Sequence, residues 1–311
     1  MATIKKEFTF PSVSVLCDIS AMSFVPEDES SIKAVIQIAH GMAEHKERYI
    51  KFMETLCDNG FAVYINDHLG HGKSVKNDDE LGYFGKTDGW MNFIEDCRKL
   101  MEIAQSEHPG KPYIFFGHSM GSFVSRYFSA KYADDLAGAV FCGTAAPNPA
   151  AAAGIAVAKM VGALKGSHHR SKLIDSMAFG SYNKRTQQRT AFDWLTRDDD
   201  IVDAYIADPY CGFLFTAYGY RDMLTLLSNV SKKEWFENYS KKLPVLLIAG
   251  KEDPVGPYGD GVQKVADMLK AAGKDNVTIH LYDGARHEIL NESAIYDTVC
   301  NDIITWANSL L

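Results

Sequence analysis

The string Gly117-His118-Ser119-Met120-Gly121 is a G-x-S-x-G pattern. A serine hydroxyl is a poor nucleophile at neutral pH and needs help from its surroundings. This spacing offers it a place to receive that help: a sharp strand-to-helix turn lifts the hydroxyl clear of a sheet, and small flanking residues let the backbone bend so tightly. Taken alone, the string is a weak signal, and a tight turn with an incidental serine would read the same way. Its setting strengthens it, because the apolar run Tyr113-Ile114-Phe115-Phe116 precedes it and a helix-spaced pattern follows.

An activated serine requires a base and a group to orient that base, which in a hydrolase of this type follow in the order acid, then histidine. Asp253 lies just past one apolar strand-like run, in Gly250-Lys251-Glu252-Asp253-Pro254, and His287 just past the next, in Asp283-Gly284-Ala285-Arg286-His287. Both therefore belong at C-terminal strand ends, the edge of an open α/β sheet where ligands bind and where Ser119 would stand. Glu252 and Asp283 are competing carboxylates; strand-end position favours Asp253, and Asp283 reads more simply as a turn residue before Gly284. The tetrahedral intermediate of acyl transfer also needs backbone donors. One is expected from the N–H of Met120, directly after the serine. The other is expected from the N–H of Met42, in the loop His40-Gly41-Met42-Ala43-Glu44-His45.

The elements that must hold these residues alternate in type. Residues 8–15 and 17–25 read as a hairpin, and residues 34–39 and 61–65 as buried strands. A helix over 48–59 separates those two strands and stops at Gly60. Asp88 stands where an N-cap would, ahead of Trp90, Phe93, Ile94, Cys97, Leu100, Met101 and Ala104 at helical spacing. A helix over 120–132, a strand over 136–141, and further strands over 244–249 and 277–282 complete the pattern, with a helix over 261–272 between the last two. A final helix buries Ile295, Val299, Ile303, Trp306 and Leu310. Such alternation implies an α/β fold with a mostly parallel sheet covered on both faces. The alternation lapses after Pro147 into a stretch of helical tone. We therefore divide the chain into a core of residues 1–146 and 241–311 and a helical cap, 147–240, inserted in it.

The segments His40-Gly41-Met42-Ala43-Glu44-His45, Asp67-His68-Leu69-Gly70-His71-Gly72-Lys73-Ser74 and Gly117-His118-Ser119-Met120-Gly121 together resemble the monoacylglycerol lipase and lysophospholipase branch of the α/β-hydrolase superfamily. The Asp253 and His287 segments match in order and position, so the resemblance spans nearly the whole chain and is weakest in the insertion. It implies an eight-stranded, mostly parallel sheet with helices on both faces and a helical cap between the sixth and seventh strands. It also implies hydrolysis of a carboxylic ester of a mono-acylated lipid, monoacylglycerol or lysophospholipid, through an acyl-enzyme and without a cofactor. Residue by residue, it implies Ser119 as nucleophile, Asp253 and His287 as its partners, and Met42 and Met120 as oxyanion donors. The Asp67 loop is structural in the family, and His68 and His71 are read that way rather than as zinc ligands. Haloalkane dehalogenases and epoxide hydrolases place Asp where Ser119 stands, and proline iminopeptidases carry a Trp after the nucleophile where this chain has Met120. An esterase or thioesterase for small or aryl acyl groups is the alternative enzyme, and a ligand-binding protein on the same fold the rival outside enzymes.

Composition bounds the partners. The 311 residues are 46% hydrophobic and 23% charged, with 32 Lys+Arg against 40 Asp+Glu and a net charge of −8. That leaves no electrostatic case for nucleic acid. The longest apolar stretch, 150–158, falls far short of the ~20 residues that span a bilayer. The N-terminus lacks the apolar run of a signal peptide, and the 6 cysteines form no C-x-x-C pair, so a cytoplasmic location is expected. Cys142 and Cys211 read as small buried hydrophobes. In the cap, small residues after Pro147 and the apolar series Phe213, Phe215, Met223, Leu224 and Leu227 suit either an acyl-chain wall or plain core. The basic run His168-His169-Arg170-Ser171-Lys172 could meet a phosphate headgroup or simply face solvent. Neither the substrate-binding residues nor the oligomeric state can be assigned at this level.

Overall fold

Runs of β-branched and aromatic residues become eight strands in the computed structural model, which describes residues 2–311. They are β1 (Thr3–Pro11), β2 (Asp18–Pro26), β3 (Ala34–Ala39), β4 (Phe61–Asn66), β5 (Tyr113–His118), β6 (Gly138–Cys142), β7 (Val245–Gly250) and β8 (Val277–Tyr282). The helices are α1 (Ile50–Asp58), α2 (Gly89–Glu107), α3 (Met120–Lys131), α4 (Ala150–Lys165), α5 (Lys172–Phe179), α6 (Asp199–Ala207), α7 (Ala217–Val230), α8 (Lys233–Asn238), α9 (Asp260–Ala271) and α10 (Tyr296–Asn308). The sheet runs β1-β2-β4-β3-β5-β6-β7-β8, antiparallel at β1–β2 and β2–β4 and parallel from β4 through β3 to β8.

Strand periodicity sorts the core into two layers. Val35 and Ala39, Phe115, and Leu247 point to the face covered by α2, α3 and α9, where Phe93, Leu100, Val124, Phe128 and Leu269 meet them. Ile36, Phe116 and Ile248 point to the other face, against Phe52 and Leu56 of α1 and Val299 and Ile303 of α10. Each such side chain contributes about 1.5–3 kcal/mol by leaving water, so truncating Leu247 to Ala would cost about 2–5 kcal/mol. Gln37 sits on the first face among these apolar groups and is bonded there at both ends of its amide, which donates to Cys97 O at 3.1 Å and accepts from Tyr113 Oη at 2.7 Å.

All of α4–α8 fall between β6 and β7. Three begin on side-chain caps: Ser171, Asp198 and Thr216 accept from Ile174, Ile201 and Gly219 respectively. Glycines let α4 approach α7 closely, since an added Cβ would strike Leu224 at Gly154 and Tyr218 at Gly162.

Two local expectations need correction. The first strand begins at Thr3 rather than at residue 8, because β1 is an edge strand whose early residues are exposed and carry polar side chains on both faces. Asp88 precedes α2 as expected, but its side chain makes no capping bond; it occupies the left-handed region at φ 46°.

Candidate active site

Ser119 is the single residue between the end of β5 and the start of α3, and it makes the turn at φ 55°, ψ −119°. Side chains rarely adopt that conformation, and its cost is met by contacts that fix it. Its N–H donates to Cys142 O at 2.9 Å, and its carbonyl accepts from Ser122 N at 2.8 Å and Ser122 Oγ at 2.5 Å. The flanking glycines are needed for close approach. A Cβ on Gly117 would occupy the position of the Gly121 carbonyl, and one on Gly121 that of the Ala39 carbonyl.

The register of β5, β6 and β7 brings His118, Cys142 and Ile248 side by side, so the loops that follow share one edge. There the Asp253 carboxylate meets His287, Oδ2 to Nδ1 at 2.9 Å, with their side chains 0% and 2% exposed. Val255 N donates to the other carboxylate oxygen at 2.8 Å, which fixes its plane. Because a carboxylate only accepts, His287 carries a proton on Nδ1 and presents a basic Nε2. The competing Asp283 is 88% exposed and pairs with Lys251 at 2.7 Å. Among the described residues no hydrogen bond joins Ser119 Oγ to His287, although both line one cavity. Such bonds often tighten only when substrate is bound.

The loop after β3 packs directly on the serine. A Cβ on Gly41 would lie 3.2 Å from Ser119 Cβ and 2.7 Å from Glu44 Oε1. Gly41 N already donates to Glu44 Oε1 at 2.5 Å. Ala43 takes a positive φ of 50°, and its carbonyl accepts from Gly212 N and Tyr205 Oη, both at 2.9 Å. Between these two anchored residues, the Met42 N–H makes no bond among the described residues. Met120 opens α3, where first-turn amides have no partner within the helix. Both amides are thus free to receive an oxyanion.

Sequence reasoning missed a charged cluster behind this loop. Arg48 reaches Glu44 at 2.5 Å and Glu288 at 2.7 Å through each of two nitrogens, while Tyr49 donates to Glu44 at 2.8 Å. His118, one residue before the serine, places Nδ1 3.5 Å from Glu44 and Nε2 3.3 Å from the carbonyl of His287. Burial would raise the Glu44 carboxyl, but Arg48 and His118 more than offset it and hold it well below the usual range. Burial would lower His118, yet its bond to Glu44 and the charges of Glu44 and Glu288 raise it above 6.5. The available signal was the spacing of Glu44 and Arg48 by one helical turn and the carboxylate placed directly after His287.

His40, His68 and His71 form a buried cluster beneath the same loop, ring to ring at 4.4–6.2 Å. Burial pulls His40 and His71 down to about 3, and His40 Nε2 accepts from His68 N at 2.9 Å. Asp67 of this segment is spent on Lys46 at 2.9 Å. These contacts tie the Asp67 segment to the loop that follows β3.

A cavity of about 690 Å³ opens on Ser119 and His287 and extends under α4, α5 and α7, past Ala151, Val157, Ile174, Met223, Leu224 and Leu227. No Lys or Arg lines it among the described residues. The basic run lies elsewhere: Arg170 donates to the carbonyl of Leu214, and His168 faces Glu80 at 3.3 Å.

The strand order and the turn that carries Ser119 define an α/β-hydrolase. Within that class the chain belongs to the serine aminopeptidase S33 family of hydrolases, whose model matches residues 30–294. It is 28% identical to a monoacylglycerol lipase of Mycolicibacterium smegmatis, over 90% of this chain and 89% of that one. It is 25% identical to the human monoglyceride lipase, over 89% and 82% of the two chains. A thermostable carboxyl esterase from Bacillus coagulans, solved with glycerol, superposes with a TM-score of 0.92 at 30% identity over 99% of both chains.

Proposed function

We propose that the protein hydrolyses esters of mono-acylated lipids with uncharged headgroups, monoacylglycerols foremost, through an acyl-enzyme on Ser119. The observation that carries this reading is the 690 Å³ cavity, apolar along α4 and α7, that ends at Ser119 and His287 with no lysine or arginine in its lining. That volume lies within the ~300–1,000 Å³ range of small-molecule sites. Ser119 Oγ attacks the ester carbonyl while His287 Nε2 takes its proton, and Asp253 holds the imidazole and balances its charge. The amides of Met42 and Met120 receive the oxyanion. His287 returns the proton to the leaving alcohol, and water then releases the acid by the same steps. Residues 147–240 act as the cap that shields the acyl chain.

The monoacylglycerol lipases of M. smegmatis and human are similar over most of their length, which supports this substrate class. A lysophospholipid would bring a phosphate into a pocket lined by Glu44, Asp175 and Glu288 and by no lysine or arginine. Aminopeptidase activity would need a carboxylate free to pair with a substrate ammonium. Glu44 and Glu288 are already committed to Arg48, and Asp175 accepts from Tyr220 at 2.7 Å.

The test compares monoacylglycerols, lysophosphatidylcholines and p-nitrophenyl esters of graded chain length, wild type beside Ser119→Ala. Turnover that needs Ser119 and prefers monoacylglycerol supports the proposal. A preference for acetate or butyrate, or for the lysophospholipid, refutes the substrate assignment, and turnover that survives Ser119→Ala refutes the mechanism.

A further inference from the structure

Where α6 hands over to α7, a second cluster of side chains meets the loop that follows β3. His45 Nε2 lies 2.8 Å from Asp208 Oδ2, and Cys211 completes a group whose ligating atoms all fall within 4.8 Å of one another. A histidine, a thiol and a carboxylate so placed are the donor set of a tetrahedral zinc site with one position left for water. The other ring nitrogen of His45 faces Glu47 Oε2 at 2.7 Å, and Glu47 is itself held by Lys46 and Lys73, each at 3.0 Å. A carboxylate behind the histidine, aiming its free nitrogen at the metal position, is the usual outer partner of a zinc-bound imidazole.

We propose that His45, Asp208 and Cys211 bind one thiophilic divalent ion, zinc in chemical class, which clamps the cap segment 208–212 onto the oxyanion loop. Cys211 is 9% exposed and the Asp208 side chain 31%, so the ion enters over Asp208 and comes to rest against the buried thiol. Binding displaces the thiol proton of Cys211 and the proton shared by His45 and Asp208, whose facing atoms must separate by a few tenths of an ångström to share a metal. The location gives the ion a consequence. Ala43, beside Met42, receives its two hydrogen bonds from Tyr205 and Gly212, and Gly212 directly follows Cys211. Locking His45 to Cys211 therefore locks the backbone that directly follows Met42.

The readout does not depend on the substrate. Protein freed of metal by a chelator is titrated with cobalt(II), and a near-ultraviolet thiolate-to-cobalt band is followed, then bleached with zinc. The expected result is a band saturating at one ion per chain, absent in Cys211→Ser, kept in Cys17→Ser, and shifted to roughly tenfold to a hundredfold weaker affinity in Glu47→Gln. Asp208→Asn, which preserves shape, is expected to weaken binding as well. Zinc should also raise the melting temperature of wild type but not of Cys211→Ser. Absence of the band in wild type, its persistence in Cys211→Ser, or its loss in Cys17→Ser overturns the proposal and leaves Glu47, His45 and Asp208 as an ion triad alone.

Discussion

Both ring nitrogens of His118 face acceptors: Nε2 stands 3.3 Å from the carbonyl oxygen of His287, and Nδ1 3.5 Å from the Glu44 carboxylate. A neutral imidazole can donate from only one nitrogen, so His118 satisfies both partners as the imidazolium. The residue before Ser119 is thus a buried cation tied to the backbone of His287. Two carboxylates, Glu44 and Glu288, and two cations, Arg48 and His118, close the charge balance around it.

This arrangement makes His118 a source of pH-dependent stability. Its folded value lies above the ordinary 6.5, so the stabilisation is complete below that value and is lost as pH rises through the raised one. The facing groups are Glu44, held ionised by Arg48, and Glu288, which is also kept below its usual range. Urea unfolding of wild type and His118→Gln should therefore differ most below the ordinary histidine value and converge as the pH is raised. A gap that widens with pH would mean that His118 is buried neutral.

Glu44 joins three parts of the site: the Gly41 amide, Arg48 and His118. Glu44→Gln removes the charge and leaves His118 with an amide partner, while Arg48 keeps Glu288. Breaking a fully buried pair costs about 3–5 kcal/mol, and retention of Glu288 should limit the loss to the lower end. Activity should fall by roughly tenfold to a hundredfold, mainly in kcat, because a displaced Gly41-Met42 backbone misaims the oxyanion donor without narrowing the cavity. Steady-state kinetics with a p-nitrophenyl ester, beside a denaturation curve, separates the two effects. A change confined to KM would show that the loop is held by other contacts.

Much of this could be read from the chain. Most of the parallel strands are short apolar runs, and Ser119, Asp253 and His287 follow β5, β7 and β8 at their C-terminal ends. What escaped depends on contacts between distant segments. Arg48 and Glu288 are 240 residues apart, and each alone reads as a surface charge. Cys211 has no cysteine neighbour in sequence, so nothing marks its approach to His45 across the cap boundary. The start of edge strand β1 escapes the pattern because most of its residues face water and its alternation is mostly polar.

The carboxylate choice left open by spacing has a direct test. Asp253→Asn preserves shape but lets His287 settle in the wrong tautomer, a change that in a Ser-His-Asp triad costs about 10⁴ in kcat. Asp283→Asn, at an exposed turn beside Lys251, should leave kcat within about twofold, as surface substitutions away from a site usually do. Fluorophosphonate labelling rates for the two variants would confirm the ranking. Equal loss in both would return Asp283 to candidacy.

The cavity wall predicts how chain length is read. Val157 of α4 lines the cavity about two turns along the helix from its start at Ala150. Val157→Phe adds a ring where the distal chain would lie and leaves Ser119, His287 and the Met42 loop untouched. Each methylene excluded from such a pocket is worth about 1–3 kcal/mol in discrimination. The variant should lose at least roughly tenfold in kcat/KM on long-chain esters while short-chain esters keep wild-type rates, moving the optimum down the series. If all chain lengths fall together, the ring has disturbed the packing of α4 on α7 rather than the chain. If the optimum stays in place, the acyl group leaves Ser119 by another route, and the wall formed by α5 and Ile174 becomes the surface to probe.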